Sequence, residues 1–231
     1  TLRVEDSGKL YHGAYQPSAV VTVRSNAVLD LATWSYSEPG AESLGGLRAN
    51  NNAIVVDGGT IRVRKNSNYY RGFTIGAAGA TLEAAEGANW GLNYDAAAPL
   101  VSALGGSLTL TGSGTGALRK AMLGTGGLVK NGKGVWTVSG TNTYNGSTAI
   151  SNGTLLVNGV LPAGTVTLAT NATLGGFGVV RGPVLQDGII APGAGIGTLT
   201  ISNQVTDGVT AVYRMELGGT NAPTDYDQLV V

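Results

Sequence analysis

The stretch GLVKNGKGVWTVSGTNTYNGSTAISNGTLLVNG, from Gly127 to Gly159, decides the fold class of this chain. It contains one short phrase twice, first as GVWTVSG at residues 134–140 and again as GTLLVNG at residues 153–159. In each copy a small turn residue precedes alternating apolar residues, which is the period-two pattern of a short strand with one buried face. The stretch has no histidine, cysteine or acidic residue, so its sequence specifies shape rather than chemistry.

The same phrase recurs along the rest of the chain, for example as GTIRVR at residues 59–64 and GTLTIS at residues 197–202. The first inward residues of successive copies span 138 positions in six steps, a mean of 23, and are Ile61, Leu82, Leu108, Trp136, Leu155, Leu174 and Leu199. Repeats of this length, made of short strands and glycine turns, predict a solenoid. The pattern predicts these core residues: Ile61, Val63, Leu108, Leu110, Val138, Leu155, Val157, Leu174, Leu199, Ile201, Met215 and Leu217.

We therefore expect an all-β parallel β-helix of about ten coils, forming a rod some 50 Å long at ~4.8 Å per coil. A sandwich of β-hairpins is the competing all-β interpretation, because turn signals at short spacing also suit one. Glycine and asparagine at several places in each repeat favour the solenoid, since its corners require residues that tolerate positive φ. The best helical candidate, residues 77–88, is interrupted by Gly79 and Gly87 and is predicted to be a strand.

Composition excludes several classes of protein. Glycine makes up 38 of 231 residues and charged residues 12%, yet no apolar run approaches the ~18 residues of a membrane-spanning helix. Fourteen acidic and fourteen basic residues give no net charge, which offers no argument for binding nucleic acid. The absence of cysteine excludes disulfides and thiolate metal sites. We expect one continuous solenoid domain, with insertion loops in residues 1–126 and the most regular repeat in residues 127–231.

Three stretches break the rhythm and are predicted to project from the coils: residues 34–48, 66–72 and 89–104. The second adjoins a group of cations and aromatic rings, which can together hold a sugar or an acidic partner surface. The candidate ligand- or partner-binding residues are Arg62, Arg64, Tyr69, Tyr70 and Arg71. The alternative interpretation, an ordinary polar face of the solenoid, is favoured over binding.

No catalytic, metal or cofactor site is predicted. His12 is the single histidine, and the Asp225–Asp227 segment is interpreted as a solvated loop before the last strand. Other carboxylates are scattered at one per coil or fewer: Asp57, Glu83, Glu86, Asp95 and Asp187. Because two carboxylates on adjacent coils can meet at catalytic distance, a glycan-cleaving enzyme stays open as an alternative.

Residues 128–148, LVKNGKGVWTVSGTNTYNGST, resemble the autotransporter-associated β-strand repeat, whose pattern is approximately L-x-K-x-G-x-G-x-L-x-L-S-G-x-N-T-Y-x-G-x-T. Trp136 stands where that pattern has leucine. The segments IAPG at 190–193 and YDQLVV at 226–231 also resemble passenger-domain repeats, whereas residues 1–126 share only the rhythm. The resemblance implies a right-handed parallel β-helix exported to the surface of a Gram-negative-type bacterium. We expect a structural or adhesive protein without catalytic activity, with a glycan-processing enzyme or a carbohydrate-binding module as the alternatives.

The two ends of the chain, Thr1–Val4 and Leu229–Val231, both have the pattern of the middle of a strand, and the residues from Thr1 onward do not have the pattern of a signal peptide. We therefore expect either further coils of a larger parent protein or head-to-tail stacking of subunits into a filament, because uncapped coils present unpaired strand edges. A surface glycan or a host receptor is a further candidate partner. Neither nucleic acid nor insertion of this segment into a membrane is expected.

Overall fold

The structure is a computed structural model that describes residues 2–4, 21–31, 54–69, 73–92, 100–103, 105–221 and 224–231. Within these ranges the chain forms 27 short strands and no helix, and therefore no helix that could cross a membrane. Several residues named above lie outside the described part: His12, residues 34–48, Tyr70, Arg71 and Asp95. The predictions made for them stay predictions.

The strands form four sheets, numbered here 1 to 4. Sheet 1 has ten strands: β1 (Leu2–Val4), β3 (Val28–Leu31), β5 (Thr60–Val63), β8 (Ala80–Ala84), β11 (Leu108–Gly112), β14 (Leu128–Lys130), β16 (Thr148–Ile150), β19 (Val166–Leu168), β22 (Val184–Gln186) and β25 (Val205–Asp207). Sheet 2 has eight: β6 (Ser67–Tyr69), β9 (Asn89–Leu92), β12 (Thr115–Leu118), β15 (Val135–Val138), β17 (Gly153–Val157), β20 (Ala172–Gly176), β23 (Ile189–Pro192) and β26 (Val212–Tyr213).

The two remaining sheets are shorter and share no strand. Sheet 3 has five strands: β2 (Val21–Arg24), β4 (Ile54–Asp57), β7 (Thr74–Ile75), β10 (Leu100–Ala103) and β13 (Met122–Gly124). Sheet 4 has four: β18 (Val160–Leu161), β21 (Val179–Val180), β24 (Thr198–Ile201) and β27 (Gln228–Val230). Each complete coil passes from sheet 1 to sheet 2 and then to sheet 3 or 4, as β8, β9, β10 and β11 do.

Every pairing between these strands is parallel, and each strand pairs with the equivalent strand one coil away. The chain is a right-handed parallel β-helix, which confirms the predicted fold class and excludes the hairpin sandwich. The ten strands of sheet 1 fit the predicted coil number and span about 45 Å at ~4.8 Å per strand.

The repeat spacing of about 23 residues identifies core residues correctly, but it treats residues from different sheets as equivalent. Ile61, Leu82 and Leu108 lie in sheet 1, whereas Trp136 lies in sheet 2 and Leu199 in sheet 4. The mean step of 23 is therefore not the coil length. In sheet 1 the register partners from Leu110 onward are 20, 20, 18 and 18 residues apart, at Lys130, Ile150, Leu168 and Gln186.

Ten of the twelve predicted core residues are no more than 1% exposed. The prediction is wrong for Met215 and Leu217, which are 38% and 81% exposed. The physical reason is that the chain leaves the coil after β26, and Leu217 instead forms an antiparallel bridge with Tyr226. Alternation alone does not distinguish such an arm from a coil strand.

Two of the predicted projections are also partly wrong. Residues 89–104 contribute strands β9 and β10 to the coils, and Trp90 is fully buried because it packs inside the solenoid. In residues 66–72, Ser67–Tyr69 is strand β6 of sheet 2. Aromatic residues and an irregular repeat spacing therefore do not indicate a surface loop in these two stretches, because both contain strands of the coils.

Candidate functional site

The predicted binding residues Arg62 and Arg64 lie on and just after β5, on the outer face of sheet 1. Register places Arg62 between Asp30 on one neighbouring coil and Glu83 on the other. The Arg62 Nε atom lies 2.9 Å from Glu83 Oε2, and its Nη1 atom lies 3.9 Å from Asp30 Oδ2. Arg64 donates from Nε to Asp30 Oδ1 at 2.9 Å. Both arginines are therefore paired with carboxylates. Asp30, Arg62 and Glu83 form a row of alternating charges across three coils, which is called the charge ladder below.

The aromatic half of the predicted site is only partly described. Tyr69 ends β6 in sheet 2, which is the next strand along the coil from β5. Beside the charge ladder is a shallow depression of about 560 Å³, lined by Arg64, Lys65, Asn66, Glu86 and Gly87. Its lining carries both signs of charge, so it is suited to a polar ligand rather than to a simple anion. Binding by Arg62, Arg64, Tyr69, Tyr70 and Arg71 stays a prediction.

Lys130 is a polar residue that the sequence analysis overlooked. It occupies an inward position of β14 between Leu110 and Ile150, and its side chain is fully buried. The ammonium donates to Gly132 O at 2.7 Å, to Asn152 O at 2.9 Å on the next coil and to Asn131 O at 3.4 Å. Burial lowers the pKa of Lys130 to about 8. Residues 128 and 130 of β14 share one face, so the inward position of Leu128 is the sequence feature that could have indicated burial of Lys130.

Asn142 and Tyr144 are buried in the turn that follows β15. Asn142 Oδ1 accepts from Met122 N at 2.9 Å, and its Nδ2 donates to Gly140 O at 2.9 Å and to Val160 O at 2.8 Å. The Tyr144 hydroxyl lies 2.5 Å from Thr148 Oγ1. Burial raises the pKa of the Tyr144 phenol well above its usual value. Both side chains therefore act on the protein itself and not on a ligand.

The substitution of tryptophan for leucine in the repeat has a structural explanation. Gly116 lies in register between Trp90 and Trp136 in sheet 2. The two indole rings meet edge to face with centroids 5.9 Å apart, and Trp136 Nε1 donates to Thr111 O at 3.0 Å. A Cβ atom on Gly116 would lie 2.5 Å from the Trp136 ring. The glycine thus provides the space that the larger side chain occupies.

The acidic segment near the C-terminal strand does not behave as predicted. Asp227 is buried, not solvated, because Oδ1 accepts from Gly197 N at 2.9 Å and Oδ2 accepts from Glu216 N at 2.8 Å. It therefore ties the start of β27 to the corner before β24 and to the arm after β26. Asp225 binds within its own turn, accepting from Asn221 and Thr224.

Two further carboxylates, Asp57 and Glu83, serve structural roles of this kind. Asp57 Oδ1 accepts from Ala78 N at 2.9 Å across a corner, and Glu83 faces Arg62. Among the residues that the structure describes, no three acidic or histidine side chains lie close enough together to hold a metal ion. The arrangement observed there is a set of internal polar contacts between coils.

Residues 128–157 match the family model of the passenger-associated-transport-repeat. The match confirms the predicted resemblance to an autotransporter passenger repeat and implies a secreted or cell-surface protein. It spans 30 residues, and these include Lys130, Trp136, Asn142 and Tyr144. No curated protein and no solved structure matches the chain.

Proposed function

We propose that this chain is the structural part of a bacterial surface-displayed passenger, a stiff rod that extends or presents an adhesive surface and has no catalytic activity of its own. The observation that carries the proposal is the passenger repeat at residues 128–157 within a continuous parallel sheet of ten strands. A narrow solenoid with a filled apolar core resists bending, because all of its coils share one core.

Location can be tested directly in the cells that make the protein. Antibodies raised against the folded chain are expected to label intact cells, and brief protease treatment of those cells should remove the label. Antibodies against a cytosolic protein serve as the control, since they must label only permeabilised cells. Labelling that requires permeabilisation would refute surface display.

Adhesion is the finer part of the proposal and has its own test. Beads coated with the purified chain are expected to bind host cells or a polysaccharide array, whereas beads coated with heat-unfolded chain should not. Retention of a polysaccharide without product release supports a binding role, and release of shorter saccharides would show a glycan-cleaving enzyme instead. If the coated beads bind neither host cells nor any polysaccharide, the adhesive role is refuted and only the structural role remains.

Polysaccharide binding is the second candidate, and the depression beside Arg64, Lys65 and Glu86 favours it. Its mixed charges suit a sugar that carries both hydroxyl and charged groups, and Tyr69 and Tyr70 follow Asn66 closely in the sequence. The triple variant Tyr69→Ala, Tyr70→Ala, Arg71→Ala should then lower retention at least tenfold. Thr154→Ala on the outer side of β17 is the matched surface control and should retain the polysaccharide unchanged.

Head-to-tail stacking or attachment of further coils is proposed for the last described coil. Its strands β25, β26 and β27 each form the outer edge of a sheet, and Val212, Tyr213 and Val230 are more than 40% exposed. The edge also carries Asp207, which accepts from Gln186 Nε2 at 2.8 Å and from Tyr213 OH at 2.7 Å. Both donors bind Oδ1, so a coil that covers this edge would bury the charged carboxylate at less cost if it offered a further donor or a cation to Asp207.

Electron microscopy tests stacking between copies. Fibres with an axial repeat of about 50 Å, one length of the rod, are the result expected for head-to-tail stacking. Asp207→Arg reverses the charge on the edge and should change the length distribution of such fibres, whereas Lys133→Glu, away from the edge, should not. Single rods at high protein concentration would refute self-stacking.

A further inference from the structure

The third face of the solenoid is built from two different sheets, and the passenger repeat lies where one replaces the other. Sheet 3 ends at β13, and sheet 4 begins at β18, two coils later. In the coil between them, the turn at residues 141–147 forms no strand of either sheet. Sheets 1 and 2, in contrast, run through this coil without a break.

Backbone pairing across the interrupted coil is divided between the two sheets. Asn142 N donates to Val160 O at 3.0 Å in sheet 4, whereas Thr143 N donates to Met122 O at 3.0 Å in sheet 3. The direction of pairing thus changes between two consecutive residues. Such a change leaves the Met122 amide at the edge of sheet 3 without a main-chain acceptor on the next coil.

We propose that Asn142 is a splice residue, whose side chain joins sheet 3 to sheet 4 and so makes the third face continuous. Its Oδ1 atom accepts from Met122 N on the preceding coil, and its Nδ2 atom donates to Val160 O on the following coil. Only an amide of this length offers an acceptor and two donors at one position. Asn142 is 3% exposed, so water does not replace these bonds.

Asn142 thus gives the passenger repeat a specific structural role, which is to join sheet 3 to sheet 4. The coils on neither side keep a fixed length, since the register partners in sheet 1 lie 20 residues apart from Leu110 to Lys130, 18 from Ile150 to Leu168 and 21 from Gln186 to Asp207. A residue that joins two sheets on one face must preserve the hydrogen bonds of both, and Asn142 does so with one side chain. This inference rests on the third face alone and does not depend on an adhesive role.

Hydrogen exchange of the wild-type chain provides the first test. The Met122 amide has no other acceptor in the described structure, so the splice requires it to exchange at least a hundredfold more slowly than an unstructured amide. Exchange within tenfold of the unstructured rate would overturn the proposal. This measurement needs no variant and therefore stands whether or not a substitution at Asn142 folds.

The second test compares two asparagines in the same turn. Asn142→Ala should speed exchange at Met122 by at least tenfold while leaving the sheet 1 amides of Leu128 and Thr148, in the same coils, within about threefold of wild type. Asn145→Ala is the matched control, because that exposed side chain makes no bond between coils and its backbone amide still donates to Gly124 O. Equal effects of the two substitutions, or no effect of either, would contradict the splice.

Discussion

The coils of residues 54–92 and those of residues 134–180 share a fold but differ in how neighbouring coils are held together. The first region has seven charged residues, and its outer face carries the Asp30–Arg62–Glu83 ladder. The second region has no charged residue at all. Its coils are linked from the inside by Asn142, by Trp136 and by the ammonium of Lys130 just upstream. One region is thus cross-linked at its surface and the other through its core.

This difference teaches where each region is vulnerable. The Arg62–Glu83 pair is partly exposed to salt and contributes little individually. Internal contacts are insensitive to salt but depend on shape and protonation, since a buried polar group that loses its partner costs ~1–3 kcal/mol. The passenger repeat belongs to the second kind, which suits a rod whose surface must stay free for its surroundings.

The largest effect is expected from a charge placed in the core of the uncharged region. Leu155 is fully buried between Trp136 and Leu174, so Leu155→Asp should lower the free energy of unfolding by at least ~3 kcal/mol. Leu156→Asp, one residue away and pointing outward, is the control and should cost less than about 1 kcal/mol. Urea denaturation measures both. Similar losses for the two variants would disprove the register described here.

The next effect is a pH dependence that only the internally linked region should show. The pKa of Lys130 is about 8 when folded against 10.5 when unfolded, so the unfolded chain binds more protons between these values. Stability should therefore rise with pH from about 8 to 10, by roughly 2 kcal/mol. Tyr144 acts in the opposite direction above pH 10, because its raised folded pKa makes the unfolded chain lose its proton first.

Substitution of the lysine isolates its contribution. Lys130→Met should abolish the rise in stability between pH 8 and 9.5, whereas Lys133→Met, an exposed lysine three residues later, should preserve it. Thermal unfolding at a series of pH values gives the slope directly. A slope that survives in the Lys130→Met protein would mean that another group titrates.

A smaller effect tests the fit between Gly116 and Trp136. Gly116→Ala should cost about 1–3 kcal/mol, because the added methyl group collides with the indole ring. In a Trp136→Leu background, which restores the residue usual in the repeat, the same change should cost less than half as much. A double-mutant cycle from urea unfolding gives the coupling between the two positions. A coupling energy of zero would show that the glycine is required for another reason.

The sequence alone predicts much of this fold, because apolar alternation marks a strand without reference to its neighbours. Leu155, Val157, Leu199 and Ile201 were placed correctly on that basis. Alternation also fits Leu217, yet the chain there pairs with its own arm, and only three-dimensional context distinguishes the two.

The internal polar contacts could not be predicted in the same way. Lys130 is charged, and a charged side chain is normally not predicted to lie in a core. The carbonyl groups that accept its hydrogen bonds come together only when Asn152 of the next coil is stacked above it. The role of Asn142 likewise depends on Met122 and Val160, which lie 20 and 18 residues away in sequence. For the candidate binding residues Arg62 and Arg64, pairing with Asp30 likewise requires knowledge of the register, and binding by them stays a prediction.

The smallest expected effect separates the two regions by their response to salt. Raising sodium chloride from about 20 mM to about 500 mM shortens the screening length to a few ångströms, and it weakens the partly exposed Arg62–Glu83 pair more than the contacts of the buried Asp30 carboxylate. Hydrogen exchange at Arg64 and Thr81, whose amides bond across the ladder coils, should therefore quicken about two- to fivefold. Amides of the uncharged coils, such as Asn158 and Ala169, should change by less than the error of the measurement. Glu83→Gln removes the Arg62–Glu83 ion pair. It should bring the low-salt exchange rates of the Arg64 and Thr81 amides close to their high-salt values. If both regions respond equally to salt, the ladder does not hold its coils together, and the contrast between surface and internal linkage is lost.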